Sequence, residues 1–238
     1  MKVIVLSKTN YKEKDIICDA ISEEGELSFK LIHAQDNKSP YLFMNNPLTI
    51  AEVEFGDKKY KYPPVKEARL ISSPLTGNES LDYLFSLSVI TEAAKNILQE
   101  NERHLLFKDI EQVIEALKSG KDTLLVVLIY LARCIKLAGA DLEVDKCVFC
   151  GSTQDIVAFS FADGGFVCRN CFEEAMAEKD LKPNQMKLLR YIFRSPDYSC
   201  RKSEQFSKDD KTIVLKHLKE YVDNGLGVYL NSINSLIN

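Results

Sequence analysis

The feature that most constrains this chain is a pair of short cysteine motifs in its second half. Cys147 and Cys150 form one C-x-x-C pair, and Cys168 and Cys171 form another, with seventeen residues between the pairs. In such a knuckle both sulfur atoms can face one ion, and four thiolates match the tetrahedral coordination of Zn²⁺. Gly151 follows the first pair, where a positive φ helps the backbone to turn its amides toward sulfur. The spacing therefore predicts a four-cysteine metal module over residues 147–171, with a hairpin between the two pairs.

We interpret this module as a structural zinc site, because four protein ligands leave no open coordination position for water. A four-cysteine iron site and a redox-active C-x-x-C pair are alternatives that the spacing leaves open. A zinc deaminase is disfavoured, since Lys146 rather than Pro precedes Cys147 and no His-x-Glu motif occurs upstream. The other three cysteines, Cys18, Cys134 and Cys200, are interpreted as packing residues.

Residues 1 to about 73 alternate short apolar runs with turn residues, which is the pattern of a small sheet. We expect strands at Val3–Leu6, Ile16–Ile21, Leu27–Ile32, Leu48–Phe55, Tyr60–Tyr62 and Glu67–Ile71. Five or six strands in so short a segment predict a small closed barrel, which also removes exposed strand edges.

After residues 72–74 the apolar positions recur with helical periodicity, so we place a domain boundary near residue 76. The sequence thus predicts an α+β protein with one domain at 1–76 and a helical domain at 77–238. Helices are expected near residues 81–98, 105–117, 122–138, 172–179, 183–194 and 209–224. The third of these is apolar nearly all round, which predicts a position at the centre of a bundle.

Charge is distributed unevenly along a chain whose formal net charge is only −4. Residues 1–76 are neutral overall, residues 77–182 carry −7 and residues 183–238 carry +3. The total argues against a histone-like protein, which covers nucleic acid through a large excess of cations. Local basic patches near both ends remain, so we expect any DNA binding to be modest in affinity and to weaken steeply with salt.

The usual sequence motifs of catalysis are absent. The chain contains no G-x-x-x-x-G-K-[ST], G-x-G-x-x-G, G-x-S-x-G or H-E-x-x-H motif. Its three histidines, His33, His104 and His217, are widely scattered, and we interpret them as surface or packing residues. A binding protein is therefore favoured over an enzyme.

Two regions carry cations beside aromatic or apolar residues. Lys8, Lys12 and Lys14 surround Tyr11 in the predicted first loop of the barrel, an arrangement that suits single-stranded nucleic acid. On the later predicted helices the cations are Lys187, Arg190, Arg194, Lys216 and Lys219, with the apolar Met186, Leu189 and Phe193 beside them. Such a rim could bind a phosphate backbone or an acidic peptide with an aromatic end, although a solvated helix face is the simpler interpretation.

No segment of the sequence has the length of a membrane span. The N-terminal apolar run is only Val3–Leu6, which is too short for a signal peptide. The longest apolar stretch, Leu124–Ala132, has nine residues where a span needs about 20. We therefore expect a cytoplasmic protein without membrane attachment.

Two groups of residues follow one another in a distinctive order. Residues 3–6, 11–16 and 23–25 form an opening strand pair, and C-x-x-C-G, an F-S strand, G-G-F and C-x-x-C recur in that order within residues 147–171. Both groups resemble segments of the RecO family of DNA-repair recombination mediators: the first looks like its opening strands and the second is similar to its zinc module. With the strand-then-helix layout, the resemblance covers nearly the whole chain.

The resemblance implies an N-terminal OB-fold barrel followed by an α-helical domain that carries a four-cysteine zinc finger. It implies a non-enzymatic mediator that binds single- and double-stranded DNA and anneals complementary strands. The implied partners are RecR, with which the protein would help to load RecA on SSB-coated single strands, and the acidic C-terminal tail of SSB.

The same resemblance assigns roles to particular residues. Lys8, Lys12 and Lys14 are the implied DNA contacts on the barrel. The local pattern, independently of the resemblance, predicts that Tyr11 stacks on bases. Lys38 keeps a cation where relatives usually carry a run rich in Arg and Lys after the third strand. The four module cysteines would hold one structural Zn²⁺.

Two other functions remain open at the level of the sequence. One is a zinc-dependent enzyme that acts on nucleic acid or a metabolite. The other is a zinc-stapled adaptor that binds only proteins. Removal of the metal ligands separates the first from a structural site, because a structural metal and the fold are lost together.

Overall fold

The structure is a computed structural model that describes residues 1–57, 59–75, 77, 79–172 and 181–237. These residues group into two compact units, Met1–Lys118 and Ser119–Asn238. Packing therefore divides the chain after its second helix, whereas strands give way to helices between residues 72 and 81. The division into domains at 1–76 and 77–238 stays a prediction.

The first unit contains a five-stranded antiparallel barrel. Its strands are β1 (Lys2–Tyr11), β2 (Asp15–Ser22), β3 (Gly25–Leu31), β4 (Ile50–Phe55) and β5 (Val65–Ser72), paired in the order β3-β2-β1-β4-β5. The Lys30 N–H donates to the Pro63 carbonyl at 3.1 Å, and Lys30 forms a bridge with Pro64, which joins the two edges of the sheet. This arrangement is the OB-fold type of barrel, as the resemblance predicts.

The barrel core follows from the alternation of side chains along each strand. In β2, positions 16, 18 and 20 are buried, whereas positions 15, 17 and 19 are half-buried. Met44, from a 3-10 helix at Leu42–Asn45, adds to the same core. The other buried members are Val3, Val5, Ile16, Cys18, Ala20, Phe29, Leu31, Ala34, Ala51, Val53 and Val65. The opposite face is partly covered as well, because Ile4, Leu6 and Ile21 are also buried, so only the outer part of the strands is available to solvent and ligands.

Two details of the predicted sheet are corrected. Pairing of β1 with β2 extends as far as Tyr11 opposite Asp15, so Lys8 and Tyr11 lie in a strand rather than in the first loop. Tyr60–Tyr62 was expected to be a strand and is a loop. Residues 63 and 64 are prolines, which lack the N–H groups that a strand ladder needs, so β5 begins only at Val65.

Two helices complete the first unit, and both were expected. They are α1 (Leu81–Asn96) and α2 (Phe107–Lys118), joined through a 3-10 helix at Glu100–Leu106. The Arg103 guanidinium donates to the Glu26 carboxylate at 3.0 Å, which fastens this connection to β3. The segment between α1 and α2 is therefore helical and also contacts the barrel directly.

The second unit combines helices with a small sheet. Its elements are α3 (Thr123–Leu137), β6 (Glu143–Cys147), β7 (Ile156–Ser160), β8 (Gly165–Cys168), α4 (Pro183–Arg194), α5 (Lys208–Tyr221) and α6 (Asn234–Ile237). Helix α3 is buried continuously from Leu125 to Ala132, which confirms its predicted central position. Strand β8 lies between an antiparallel β7 and a parallel β6, a strand that the sequence did not predict. Apart from Phe172, the helix predicted at 172–179 lies outside the described residues.

A buried ion pair connects the start of α3 to α5. Lys211 Nζ lies 2.5 Å from Asp122 Oδ2, and only 7% of the lysine side chain is exposed. Asp122 also caps α3 by accepting a hydrogen bond from the Leu125 N–H at 2.9 Å, and the Ser203 hydroxyl donates to the same carboxylate. Burial raises the pKa of Asp122, but the three donors outweigh burial and hold that pKa below its usual value.

We expect Lys211→Met to lower the free energy of unfolding by about 3 kcal/mol, because it leaves a half-buried carboxylate without its cation. Urea unfolding followed by circular dichroism measures this change. Lys216→Met, at an exposed position of the same helix, is the matched control and should stay within about 0.5 kcal/mol of the wild type. Equal stability of the two variants would contradict a stabilising role for the pair.

The same pair predicts a pH dependence. Because the folded-state pKa of Asp122 is lowered, its contribution to stability is present above the unfolded-state pKa of about 3.9 and is lost as pH falls through the folded value. Asp122→Asn should therefore flatten part of the stability loss below about pH 4. Unfolding midpoints of both proteins between about pH 2 and 6 measure this difference.

Candidate metal centre and basic surfaces

The four predicted ligands lie at one edge of the β6–β8 sheet. Cys147 and Cys168 end the parallel strands β6 and β8, Cys150 lies in the following turn, and Cys171 ends a 3-10 helix. All four Sγ atoms lie within 4.8 Å of one another, and the Sγ atoms of Cys150 and Cys168 are 3.6 Å apart. Tetrahedral coordination with metal–sulfur bonds of about 2.3 Å places sulfur atoms about 3.8 Å apart. The cluster therefore has the dimensions of a four-thiolate metal site.

Two glycines allow the chain to make this cluster. Gly151 has φ +74°, and its N–H donates to the Cys147 carbonyl at 2.8 Å, which closes the first knuckle. At Gly165 a Cβ atom would lie 3.0 Å from both the Cβ and the carbonyl oxygen of Glu143. Only glycine lets β8 approach β6 closely enough to bring the ends of both strands together.

The thiol chemistry fits a cation at the centre of the cluster. Burial would raise the pKa of Cys147, but backbone N–H groups of Cys168, Cys150 and Phe149 lower it to about 6. Hydrogen bonding to Cys150, followed by burial, raises the pKa of Cys171 to about 12. Sulfur atoms this close cannot all be anionic unless a cation lies between them, so the set is suited to a metal ion.

Two predicted cations of α4 hold that helix against the strand that leads into the metal centre. Arg190 Nε lies 2.9 Å from Asp145 Oδ1, and Arg194 Nε lies 2.7 Å from Asp145 Oδ2. Burial opposes ionisation of Asp145, but the two guanidinium groups lower its pKa overall. The expected apolar edge beside these cations, Met186, Leu189 and Phe193, is buried in the unit instead of lining a surface.

A cavity of about 570 Å³ opens on the same side of α4. Its cationic lining residues are Lys187, Arg190, Arg194 and Lys202. The Tyr191 and Phe206 rings, 5.7 Å apart between centroids, supply the apolar part, and Lys202 Nζ lies 5.9 Å from the Tyr191 centroid. Sequence patterns missed Lys202, Tyr191 and Phe206 as a set, because they come from separate segments that meet only in the fold.

The two predicted cations of α5 differ from those of α4. Lys216 is exposed, whereas Lys219 is half-buried and forms an ion pair with Asp223. Neither of them is among the residues that line the α4 cavity. Their role as contacts for DNA or a partner therefore stays a prediction.

The predicted contacts on the barrel lie at its surface. Lys8 and Lys38 are exposed, and Lys12 Nζ lies 5.5 Å from the centroid of the Tyr11 ring. Lys14 Nζ lies 3.1 Å from Asp36 Oδ1, so its charge is partly neutralised. The hairpin thus presents a cation over an exposed aromatic ring, which is suited to a phosphate next to a stacked base.

None of the helices among the described residues is both long enough and apolar enough to cross a membrane. The fold and the site define a class of protein in which an OB-fold barrel is followed by a helical unit with a four-cysteine cluster suited to a metal ion.

Comparison with known proteins agrees with that class. The family model described as "Recombination protein O C terminal" matches residues 78–233. A protein from Bacillus pumilus is 26% identical over 96% of this chain and 90% of its own length, and one from Bacillus subtilis is 28% identical over the same shares. A protein from a Thermoanaerobacter species is 26% identical over 100% of this chain and 97% of its own length. All three are named DNA repair protein RecO, and this chain belongs to the RecO family.

We expect Cys150→Ser to remove the bound metal and to destabilise the second unit, since a structural metal contributes its binding free energy to folding. Elemental analysis of the purified protein should fall from about one ion per chain to near zero, and the thermal midpoint should drop. Cys200→Ser, which alters a buried cysteine outside the cluster, is the control and should retain the ion. Loss of metal with an unchanged thermal midpoint would contradict a structural role and favour a zinc-dependent enzyme.

Proposed function

We propose that this protein is a non-enzymatic recombination mediator of DNA repair. It would bind single- and double-stranded DNA, anneal complementary strands and, with RecR, assist the loading of RecA on SSB-coated single strands. Membership of the RecO family supports this proposal, and so does the exposed pairing of Lys12 with Tyr11 on an OB-fold barrel. The barrel surface is the observation that carries the DNA-binding part, because it combines a cation with a stacking ring. A cytoplasmic location is part of the same proposal.

In the proposed mechanism the barrel binds DNA without chemical change. Lys8, Lys12 and Lys38 would neutralise phosphates, which releases counterions, and Tyr11 would stack on a base. Contacts of this kind are independent of sequence, as annealing of arbitrary complementary strands requires. Lys14 would contribute less, because its ammonium group already lies beside Asp36.

We further propose that the metal is one structural Zn²⁺, held by Cys147, Cys150, Cys168 and Cys171. When bound, it would neutralise the four sulfur atoms and close its coordination sphere with protein ligands alone. The cysteines would then hold the ends of β6 and β8 together, with Asp145 of β6 in contact with α4. The size of the sulfur cluster supports this assignment.

The α4 cavity is our proposed site for the acidic C-terminal tail of SSB. Lys187 and Lys202 are exposed lysines that line it, and the half-buried Tyr191 ring, which packs against the buried Phe206, offers an apolar face for an aromatic residue. Carboxylates of an incoming tail would share the arginines with Asp145, which already holds them in position. Cationic and aromatic surfaces together match an acidic peptide that ends in an aromatic side chain.

DNA binding is tested with fluorescently labelled oligothymidine at low and moderate salt. We expect the double variant Lys8→Gln, Lys12→Gln to bind roughly three- to tenfold more weakly at low salt and to lower the slope of log K against log[salt] by about 1.4. Lys108→Gln, an exposed lysine of α2 in the same unit, is the control and should bind as the wild type does. No binding by the wild type at any salt concentration, alone or with SSB, would falsify the proposed function.

Tail binding is tested with a labelled synthetic acidic peptide that ends in an aromatic residue. Lys187→Ala and Lys202→Ala should each weaken binding by up to about fivefold, the effect of one exposed ion pair of ~1 kcal/mol. Lys216→Ala removes an exposed lysine that does not line the cavity and should leave binding unchanged. The opposite ranking in an isothermal titration would place the tail on α5 instead.

A further inference from the structure

The loop between β4 and β5 is held rigidly at its base. The Gly56 N–H donates to the Pro64 carbonyl at 2.7 Å, and the Pro63 carbonyl accepts from the Lys30 N–H of β3 at 3.1 Å. A Cβ atom at position 56 would lie 3.2 Å from Pro64 Cγ, so the close approach of the two loop ends depends on glycine. Two prolines and these contacts reduce the conformational freedom of the loop, and a ligand at its tip would therefore cost little additional ordering.

The tip of this loop, Lys59–Tyr62, alternates lysines with tyrosines, and we call it the lysine–tyrosine segment. Lys59 Nζ lies 5.3 Å from the centroid of Tyr60, and Lys61 Nζ lies 5.1 Å from the centroid of Tyr62. The Tyr60 side chain is exposed, with a relative accessibility of 56%. Asp57 fixes Lys59 by accepting from its backbone N–H at 3.1 Å and from its ammonium group at 2.9 Å.

The same chemical arrangement occurs at the β1–β2 hairpin, where Lys12 lies over the exposed Tyr11 ring. The two hairpins differ in sequence and in length, but each presents an aromatic ring with an ammonium group above it. In OB-fold proteins these two loops, between strands 1 and 2 and between strands 4 and 5, border the surface that receives oligonucleotides. Lys30 of β3, whose backbone anchors the second loop, belongs to the strand that forms part of that surface.

The chemistry of the segment favours one occupant over others. Flat rings separated by single cations match a polymer in which flat bases alternate with phosphates. An acidic peptide would satisfy the lysines but offers few flat faces for the rings. A lipid surface would prefer an apolar face, whereas here each tyrosine is covered by an ammonium group.

We propose that the lysine–tyrosine segment is a second contact point for single-stranded nucleic acid on the barrel, in which Tyr60 stacks on a base and Lys61 contacts a phosphate. Lys59, whose ammonium group is paired with Asp57, would mainly hold the Tyr60 ring in place. This inference rests on the proposed DNA binding and adds to it a loop outside the residues that the sequence predicts as contacts. Tyr62 has a supporting role, because its ring is half-buried and holds Lys61 in place.

The test uses the absence of tryptophan from the chain. In the full-length protein, Tyr60→Trp introduces a single tryptophan whose emission reports directly on stacking. Titration with oligothymidine at low salt should quench this emission saturably, and added salt should restore it. Tyr229→Trp, at a 68% exposed tyrosine of the second unit, is the matched control and should show little quenching. Unchanged emission of Tyr60→Trp while anisotropy reports bound oligonucleotide would overturn the proposal.

Affinity provides a second readout that does not depend on tryptophan. Tyr60→Ala should bind oligothymidine about 5- to 100-fold more weakly, whereas Tyr60→Phe, which keeps the ring, should stay within about twofold of the wild type. Thermal midpoints of both variants should match the wild type, because the side chain is exposed. Equal affinity of Tyr60→Ala and the wild type would refute binding by the lysine–tyrosine segment and leave the proposed DNA binding intact. Absence of binding by the wild type would refute both proposals.

Discussion

Four sulfur atoms within 4.8 Å of one another cannot all ionise without a cation, and the second unit is organised around this constraint. Two of the cysteines, Cys147 and Cys168, end the parallel strands β6 and β8, so the cluster brings these two strand ends together. Gly165 permits the close approach of these strands. Asp145 of β6 then holds Arg190 and Arg194, which links helix α4 to the strand that ends in Cys147. The buried apolar face of α4 packs it into the unit, these ion pairs link it to β6, and its outer side bears a cationic cavity.

The barrel of the first unit depends on a different constraint. The backbone N–H and C=O groups of its two edge strands need hydrogen-bond partners. The Lys30 N–H bonds to the Pro63 carbonyl and thereby joins β3 to the segment that leads into β5. The two prolines of this segment have fixed φ angles, which stiffens the end of the loop before β5. The barrel is closed and the loop is held in place by the same contacts, and this combination suits a surface that binds a flexible polymer.

Local ion pairs, more than net charge, decide which cations are available to a ligand. The formal net charge of −4 counts every lysine and arginine, including those that form ion pairs, and the sequence does not show which ones are paired. Lys14 lies beside Asp36, Lys219 beside Asp223, and the two arginines of α4 beside Asp145. Each of these pairs joins positions brought together by a helix turn or by tertiary contact. Among the described cations, Lys12 and Lys202 keep an ammonium group near an aromatic ring and have no ion pair among those named above.

The sequence by itself determined the features that depend on neighbouring residues. The C-x-x-C spacing, the helical periodicity of α1 to α5 and the strand–turn pattern of the barrel follow from local geometry, and the structure agrees with them. Tertiary structure decided what depends on distant partners. These features are the parallel strand β6, the loop at Tyr60–Tyr62, the ion pairs of Arg190 and Arg194 with Asp145, and the contact of Tyr191 with Phe206. Hydrogen-bond ladders, ion pairs and cavities join residues far apart along the chain, and no local pattern records which of them will meet.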